Sequence, residues 1–487
     1  MASVGDRSPA SRHIEQFNDN SNTFADKESK IENDHSITIS ADKVELKKSI
    51  TFLGIIAILV ANIGGSGIFI FPTAILSVVG SPGMALIMWT FGGIIQAGLA
   101  FSVIEVALMF NKAGGPYYFI YHTFGNLAGF VFMWGFIIFI ASPMWALGAY
   151  TTSLYLLSVV YSGCLPSDGV VKLVAAWIML TLIAINCTYM KVVTSIQKFL
   201  TLCKVLALVI IIILGFIHIP TETGQENISH FMEGTSTDPG KIALSLFAGY
   251  IAFGGWPIIT ILAEEVRVPE KNIPKGLAVS FVLLIVAMVA TNFAYYTVLT
   301  KEEALKSDAI AMLFGARIHP VLPVVLAILV CLCAIGTLNV AIMGQPRMIF
   351  AAGRNGHMPK MMTMLHKKFN TPWPATVSLG CLAMVMLATG SVMSLMAAAS
   401  LYAGFMIVLL LLCLFTLRWK QPDKPRPLKV PLVIPVCGTL LTATLVVLSV
   451  IEKHRELGLV IFIVLLGVPV YYICVHLQKP AKLFRCI

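Results

Sequence analysis

The chain has 487 residues, of which 57% are apolar and only 12% are charged, and its mean hydropathy is +0.86. Soluble domains carry about 25% charged residues, so this chain has too few charges to cover a water-exposed surface. The composition excludes a soluble globular protein. The excess of 34 Lys and Arg over 24 Asp and Glu fits basic loops that orient membrane spans and does not indicate nucleic-acid binding.

The polar N-terminal segment is followed by a long apolar region. Residues 1–48 are rich in Ser, Lys and acidic side chains, which is typical of a disordered tail. No cleavable signal peptide is visible, so the first apolar segment should act as a signal anchor. We therefore predict a disordered cytoplasmic tail at 1–48, a membrane domain at 49–478 and a short cytoplasmic tail at 479–487.

Repeated apolar segments predict an all-α, polytopic membrane protein. A helix needs about 20 apolar residues to cross a bilayer. Twelve segments meet this expectation, at 50–78, 82–108, 123–160, 170–188, 194–218, 241–263, 276–299, 321–343, 373–392, 395–417, 430–451 and 457–477. With the N-terminus inside, most Lys and Arg residues fall on the cytoplasmic side, which predicts that both termini are cytoplasmic.

Two of the predicted spans contain helix-breaking residues near their middle. The first contains Gly64-Gly65-Ser66-Gly67, and the sixth contains Gly254-Gly255 followed by Pro257. Glycine costs about 1 kcal/mol within a helix and proline about 3 kcal/mol. One such segment alone would favour close helix packing, but two at matching positions of two five-helix halves predict a transporter binding site.

The predicted breaks suit a zwitterionic substrate. Free N–H groups at the start of a half-helix attract a carboxylate, and exposed carbonyl groups at the end of a half-helix attract an ammonium group. The backbone could therefore recognise the part common to all α-amino acids and leave the substrate side chain to a separate pocket.

Several motifs resemble the amino acid–polyamine–organocation superfamily, and more narrowly the light subunits of heteromeric amino acid transporters. The resemblance covers about residues 45–480 and rests on Gly65–Phe69 with Pro72, Phe253–Trp256, Glu264-Glu265 with Pro269, Asn272–Pro274, Lys112–Gly115 and Arg354–Pro359. It implies twelve helices in a LeuT-like 5+5 inverted repeat, with helices 1 and 6 unwound. It also implies amino acid exchange by alternating access, and the aromatic-preferring branch is the narrower expectation.

The same resemblance assigns substrate contacts by position. The carboxylate would meet Ser66 and the backbone of Gly65 and Gly67. The ammonium group would meet the carbonyls of Ile63, Ile251 and Gly254.

Departures from the family pattern concern selectivity. Ile251 occupies a gating position that is usually a bulky aromatic residue, so we expect a larger pocket for large or aromatic neutral side chains. Ser142 stands where relatives often have a basic residue, Pro257 where they often have a polar one, and Gly254 where some carriers of cationic substrates have Asp. An uncharged pocket should exclude charged side chains, because an unpaired charge is costly inside a membrane.

Lys204 lies within the fifth predicted span, and a charge at that depth suggests a function. In the resembling family a lysine at this position replaces the sodium ion of sodium-coupled relatives and bridges span five to the unwound part of span one. This implies sodium-independent transport, and the alternative is a purely structural contact. For Glu105, Glu264 and Glu265 we expect salt bridges rather than proton coupling or catalysis.

Two loop residues predict features of the extracellular side. Cys164 lies in the loop at 162–166, and a lone cysteine in an oxidising compartment suggests an intermolecular disulfide. The resemblance implies a single-span glycoprotein heavy subunit as the partner. Asn227 begins an N-glycosylation sequon whose occupancy the pattern leaves open. The sequon at Asn186 should lie at the cytoplasmic side and be unused.

Other functional classes fit the sequence less well. An ion channel would need a ring of charges or a carbonyl filter, and an integral membrane enzyme would need a cluster of His, Asp or Cys. Neither pattern is evident, and no metal or cofactor is expected. The runner-up is a carrier of cationic amino acids or polyamines from the same superfamily. Our leading prediction is a sodium-independent exchanger of neutral amino acids in the plasma membrane.

Overall fold

The computed structural model describes residues 48, 50–65, 67–69, 71–110, 114–161, 167–188, 190–307, 309–390, 392–452 and 454–476. Both predicted tails lie essentially outside these residues, as do Lys112 and Ala113 of one family motif. Apart from an isolated bridge between Ile50 and Val266, the regular elements of the described residues are helices. The predicted all-α class is confirmed.

The helices follow one another with short connections. In chain order they are α1 Phe52–Asn62, α2 Phe71–Val79, α3 Pro82–Phe110, α4 Gly115–Phe124, α5 Asn126–Phe136, α6 Ser142–Val160, α7 Asp168–Asn186, α8 Met190–His218, α9 Glu222–Ser229, α10 Pro239–Ala252, α11 Ile258–Ile261, α12 Pro269–Val298, α13 Lys301–Lys306, α14 Ile310–Ile318, α15 Leu322–Arg354, α16 Trp373–Thr389, α17 Val392–Lys420, α18 Val433–Glu452 and α19 His454–Tyr471. A π-helical segment at Ile137–Ala141 joins α5 to α6, and another follows α19 at Tyr472–His476.

Seven helical segments in the described residues are long and apolar enough to cross a membrane. They are α3, the α5–α6 segment Asn126–Leu157, α7, α8, α12, α15 and the α17 segment Ala398–Lys420. Shorter apolar helices occur at Phe52–Asn62, Trp373–Thr389, Val433–Thr444 and Val460–His476. The chain is therefore a multi-pass membrane protein.

Some helix bounds differ from those predicted. The predicted span at 321–343 continues as α15 to Arg354, so Arg347 lies within a helix and not in a loop. Arg347 pairs there with Glu265, which offsets part of the cost of burying its charge. The predicted span at 123–160 begins at Asn126, because Gly125 separates it from α4. The helices α9, α13 and α14 lie in segments that the apolar pattern leaves as loops.

Small residues bring α3 and α10 unusually close together. A Cβ atom on Gly249 would lie 2.8 Å from the Met88 carbonyl oxygen, and one on Gly92 would lie 2.6 Å from the Gly249 carbonyl carbon. Backbones approach this closely only where side chains are absent, as is common between membrane helices. This contact sets α3 directly beside the C-terminal end of α10.

A buried aromatic cluster joins α4 to the segment after α15. The Tyr117 hydroxyl lies 2.9 Å from Nδ1 of His357, and the rings of Tyr121 and Phe130 meet the imidazole edge-to-face. Burial lowers the pKa of His357 to about 4, so the imidazole is neutral at physiological pH. The cluster packs α4 and α5 against the segment after α15 without adding a charge.

Candidate functional site

The first helix stops in the middle of its apolar run. The N–H of Ile63 donates to the Leu59 carbonyl over 2.8 Å. Residues 63–65 leave helical geometry, and a 3₁₀ turn is described at Gly67–Phe69. Gly64 has φ of 71°, a left-handed conformation that glycine adopts without the penalty other residues incur. Ser66, predicted to bind the carboxylate, lies outside the described residues.

The sixth predicted span is interrupted in the same way. Helix α10 ends at Ala252 and the short helix α11 begins at Ile258. Between them Gly255 has φ of 100°, and Pro257 has no N–H to continue a helical ladder. The glycines and the proline that marked this span in the sequence are thus the residues at which the helix breaks.

The two breaks face each other backbone to backbone. The Asn62 side-chain amide donates to the Gly255 carbonyl over 2.6 Å. A Cβ atom on Gly255 would lie 2.6 Å from the Asn62 carbonyl oxygen, and one on Gly64 would lie 3.3 Å from the Ala252 carbonyl oxygen. The paired breaks place two stretches of non-helical peptide against each other within the membrane domain.

The predicted contact residues divide into buried and accessible groups. Ile63 and Gly65 are buried, whereas Gly67, Ile251 and Gly254 are half-buried, as is Pro257. The Ile63 carbonyl accepts from Lys204 over 3.0 Å, and the Ile251 carbonyl accepts from the Gly254 N–H over 2.9 Å. A carbonyl oxygen has two acceptor positions, so the Ile63 carbonyl keeps one, whereas the Ile251 carbonyl also accepts from the Phe253 N–H at the end of α10.

Lys204 on α8 reaches the broken end of α1. Its ammonium group donates to the Val60 carbonyl over 2.8 Å and to the Ile63 carbonyl over 3.0 Å, and its side chain is fully buried. The last carbonyls of a helix lack intrahelical donors and carry partial negative charge. A buried cation therefore satisfies the end of α1 and fixes it to α8.

Helix α15 also supports the end of α1. The Thr337 hydroxyl donates to the Ala61 carbonyl over 3.2 Å. A Cβ atom on Gly65 would lie 3.1 Å from the Thr337 methyl carbon, so the two helices leave little room for a larger residue there.

Comparisons with known proteins identify the family. Residues 50–473 match the amino acid permease family. The chain belongs to that family. The family resemblance expected from the sequence is confirmed, and the permease is a transporter and not an enzyme.

Individual relatives cover most of the permease. The mouse (Mus musculus) large neutral amino acids transporter small subunit 2 is 35% identical over 450 residues, which span 91% of this chain and 84% of the relative. The human (Homo sapiens) cystine/glutamate transporter is 32% identical over 444 residues, spanning 91% and 88%. The mouse Asc-type amino acid transporter 1 is 32% identical over 446 residues, spanning 91% and 84%.

Acidic residues at one end of the permease form ion pairs, as expected. Glu265 pairs with Arg347 on α15 over 2.7 Å, and both side chains are only 5% exposed. Glu264 lies 3.4 Å from Arg354, and Glu105 on α3 lies 2.5 Å from Arg418.

The backbone of Ile50 adds a strap at the same end. Its N–H donates to the Glu265 carbonyl, and its carbonyl accepts from the Arg267 N–H, each over 2.9 Å. The segment that enters α1 is thus tied to the segment that leaves α11.

The structure gives hydrogen-bond partners for two other predicted residues. Ser142 is fully buried. Its hydroxyl donates to the Ile137 carbonyl, in the π-helical segment just before α6, over 2.9 Å. The hydroxyl is therefore already hydrogen-bonded within its own chain segment. Asn227 lies in α9, where its side-chain amide donates to the Thr297 carbonyl over 3.1 Å. Cys164 lies outside the described residues.

The sequence analysis did not single out Gln96, whose side chain bridges the break between α10 and α11. Its amide donates to the Tyr250 carbonyl over 2.9 Å and accepts from the Trp256 indole N–H over 2.8 Å. Gln96 is 2% exposed and lies in an otherwise apolar part of α3. An isolated polar residue inside a membrane span was the available signal, because such residues usually serve a bundle interior. Asn62 carried a similar signal.

Among the described residues no group of three His, Cys, Asp or Glu side chains is placed to hold a metal ion.

Proposed function

We propose that the permease is a sodium-independent antiporter that exchanges neutral, large or aromatic, L-amino acids across the plasma membrane by alternating access. The proposed architecture has twelve spans in a LeuT-like inverted repeat, with both termini cytoplasmic. The observation that carries the proposal is the meeting of two broken helices, joined by the Asn62 amide and the Gly255 carbonyl over 2.6 Å. Interrupted helices that pair in this way are where transporters of such folds bind substrate.

The pocket chemistry supports a neutral substrate. The predicted pocket positions Ile251, Gly254, Ser142 and Pro257 carry no charge, and the ammonium group of Lys204 is already engaged by two backbone carbonyls. A charged substrate side chain would therefore be buried without a partner there, which is costly inside a membrane. The relatives differ in their named substrates, so membership of the family does not by itself fix the substrate.

The contacts of Lys204 support sodium independence. A cation already satisfies the end of α1, so a sodium ion is not needed for that purpose. Replacement of external sodium by choline should leave uptake unchanged. A large fall in uptake would show that Lys204 is only a structural contact.

Ile251 is proposed to set the size of the side-chain pocket. Ile251→Phe should reduce exchange of tyrosine and tryptophan at least several-fold and affect alanine much less, because a bulkier side chain occupies the space. Initial exchange rates of the three substrates in the wild type and in the variant, six combinations in all, measure this effect. Equal effects on tyrosine and alanine would contradict the proposed role.

We propose that Cys164 forms a disulfide with a single-span glycoprotein heavy subunit. One similar protein is named as a small subunit, which supports a larger partner. Cys164→Ser should abolish a reducer-sensitive heterodimer band on a gel, whereas Cys381→Ser, at an exposed position of α16, should keep it. Persistence of the band in the Cys164 variant would move the link elsewhere.

Counterflow in proteoliposomes tests the function as a whole. Vesicles are preloaded with each of the twenty amino acids or with a polyamine in turn, and uptake of labelled tyrosine is measured. Neutral amino acids inside should accelerate uptake, and lysine, glutamate or polyamines should not. Acceleration by lysine or a polyamine would favour the cationic carrier, and currents that persist without a counter-substrate would favour a channel.

A further inference from the structure

An open cleft lies between the end of α17 and the start of α18. Its volume is about 640 Å³, and it is lined by Phe415, Arg418, Trp419, Lys429, Val430, Pro431 and Leu432. We refer to it as the α17–α18 cleft. It lies outside the paired breaks and is not used by the proposed exchange.

The backbone around the α17–α18 cleft is held by buried hydrogen bonds. Glu105 accepts from Arg418 over 2.9 Å and 2.5 Å and from the Val430 N–H over 2.9 Å. Arg418 also donates to the Val430 carbonyl over 2.6 Å. Arg426 closes the end of α17 by donating to the Leu417 carbonyl over 3.1 Å. The cleft is therefore pre-formed and does not depend on a ligand for its shape.

The walls of the cleft are largely apolar and exposed. Trp419 is 82% exposed and Leu432 is 55% exposed. Apolar exposure continues away from the cleft along both helices at Leu412, Val436 and Leu440, which are 41%, 39% and 65% exposed. An exposed tryptophan at a helix end is typical of the membrane–water interface, so the cleft opens where head groups meet acyl chains.

The same segment carries an unbalanced positive charge. Residues 418–430 contain five basic residues, Arg418, Lys420, Lys424, Arg426 and Lys429, and one acidic residue, Asp423. Even when Glu105 is added, three positive charges remain. Lys420 and Lys429 are exposed and have no ion-pair partner among the described residues.

The positive field acts on the neighbouring side chains. The ammonium group of Lys424 lies 4.1 Å from the centre of the Phe110 ring, and burial, with the nearby charge of Arg426, lowers the pKa of Lys424. A negatively charged ligand near this segment would relieve the repulsion.

We propose that the α17–α18 cleft binds an anionic phospholipid of the cytoplasmic leaflet, with its phosphate head group near Lys420 and Lys429 and its acyl chains along α17 and α18. The occupant must be amphiphilic because the charged rim continues directly into apolar helix faces. Basic pockets at the cytoplasmic ends of membrane helices suit such head groups. The leaflet assignment rests on the proposed topology.

Lipid titration of the purified full-length chain in detergent tests the proposal. Native mass spectrometry would compare retention of dioleoyl phosphatidylserine with that of dioleoyl phosphatidylcholine. Each lysine near an anionic lipid contributes about 1 kcal/mol, or roughly fivefold in affinity. The wild type should therefore prefer phosphatidylserine by about tenfold or more, and the preference should weaken as salt rises.

Matched variants separate the charge of the cleft from charge in general. The double variant Lys420→Gln/Lys429→Gln should lose the preference for phosphatidylserine and keep its affinity for phosphatidylcholine. The control Lys241→Gln/Lys306→Gln changes two exposed lysines in other segments and should keep the preference. Trp419→Ala should weaken both lipids by a similar factor, because it removes apolar contact and no charge.

Several results would overturn the proposal. They are equal retention of the two lipids by the wild type, an unchanged preference in the Lys420/Lys429 variant, or displacement of phosphatidylserine by millimolar inorganic phosphate. Binding is measured without transport, so a chain that fails to exchange amino acids but prefers phosphatidylserine refutes only the proposed function. A chain that exchanges amino acids without this preference refutes only the lipid site.

Discussion

Gly255 lies where the two broken helices come close together. Its φ of 100° lies in a region that other residues rarely adopt, at a cost of about 1–3 kcal/mol. An added Cβ would also lie 2.6 Å from the backbone oxygen of Asn62, and backbone cannot move aside as a flexible side chain can. The identity of this one residue therefore determines whether the paired breaks can form.

We expect Gly255→Ala to reduce amino acid exchange at least tenfold, because the new methyl group pushes the two breaks apart. The matched control is Gly169→Ala on α7, where nothing lies within 4 Å of an added Cβ. Counterflow rates and the surface amount of each variant are measured together. Normal exchange by Gly255→Ala at normal expression would show that the close approach is not required.

At the scale of elements, a residue of α3 connects the two sides of the break between α10 and α11. Gln96 on α3 binds the Tyr250 carbonyl on one side of the break and the Trp256 indole on the other. Since α3 also packs against α10 through Gly92 and Gly249, the spacing of the two half-helices depends on α3. Gln96 is thus a positioning residue.

A double-mutant cycle on Gln96 and Trp256 tests this role. Trp256→Phe removes the indole hydrogen bond together with part of a buried ring, and Gln96→Leu removes both hydrogen bonds of Gln96 at similar volume. Each should raise the KM for substrate more than it lowers the maximal exchange rate, and the double variant should be little worse than Gln96→Leu alone. Additive effects would indicate packing alone. So would a loss of expression with an unchanged KM.

Helix α9 determines the fate of the sequon at Asn227. The Asn227 amide donates to the Thr297 carbonyl from within a helical turn, so the acceptor nitrogen is engaged in the folded protein. We expect no shift in gel mobility after treatment with an N-glycosidase, and no change in mobility for Asn227→Gln. A glycosidase-sensitive shift that Asn227→Gln removes would contradict this expectation.

For the molecule as a whole, a buried ion pair links two distant segments at one end. Glu265 follows α11 and Arg347 lies on α15, and their side chains are each 5% exposed. Removal of one partner from a buried pair costs about 3–5 kcal/mol, because the other charge stays buried without compensation. The pair also sits beside the strap formed by Ile50, so it bears on how the segment entering α1 is held.

Glu265→Gln should therefore lower the thermal stability of the purified protein and slow exchange. Glu264→Gln is the comparison variant, because its pair with Arg354 is longer, at 3.4 Å, and more exposed, with Arg354 at 28% and Glu264 at 13%, so its loss should cost less. The double variant Glu265→Gln/Arg347→Met should recover much of the lost stability, because no lone charge remains. A double variant as unstable as the single one would show that the pair does more than neutralise charge.

The sequence by itself determined the features that depend on composition and local pattern. The shortage of charge indicated a membrane protein, the apolar runs located the long helices, and glycine and proline marked both breaks, because each of these effects acts within a few neighbouring residues. Lys204 and Glu265 stood out as charges that needed partners.

Only the tertiary structure decided which residues pair with these charges and with the two breaks. The contacts between Asn62 and Gly255, between Gln96 and Trp256, and between Glu265 and Arg347 join residues far apart in the chain, and no local pattern encodes such distances. The structure also showed that the Ser142 hydroxyl donates to the nearby Ile137 carbonyl. The breaks were predictable because backbone propensity is local, whereas their pairing arises from the way whole helices pack.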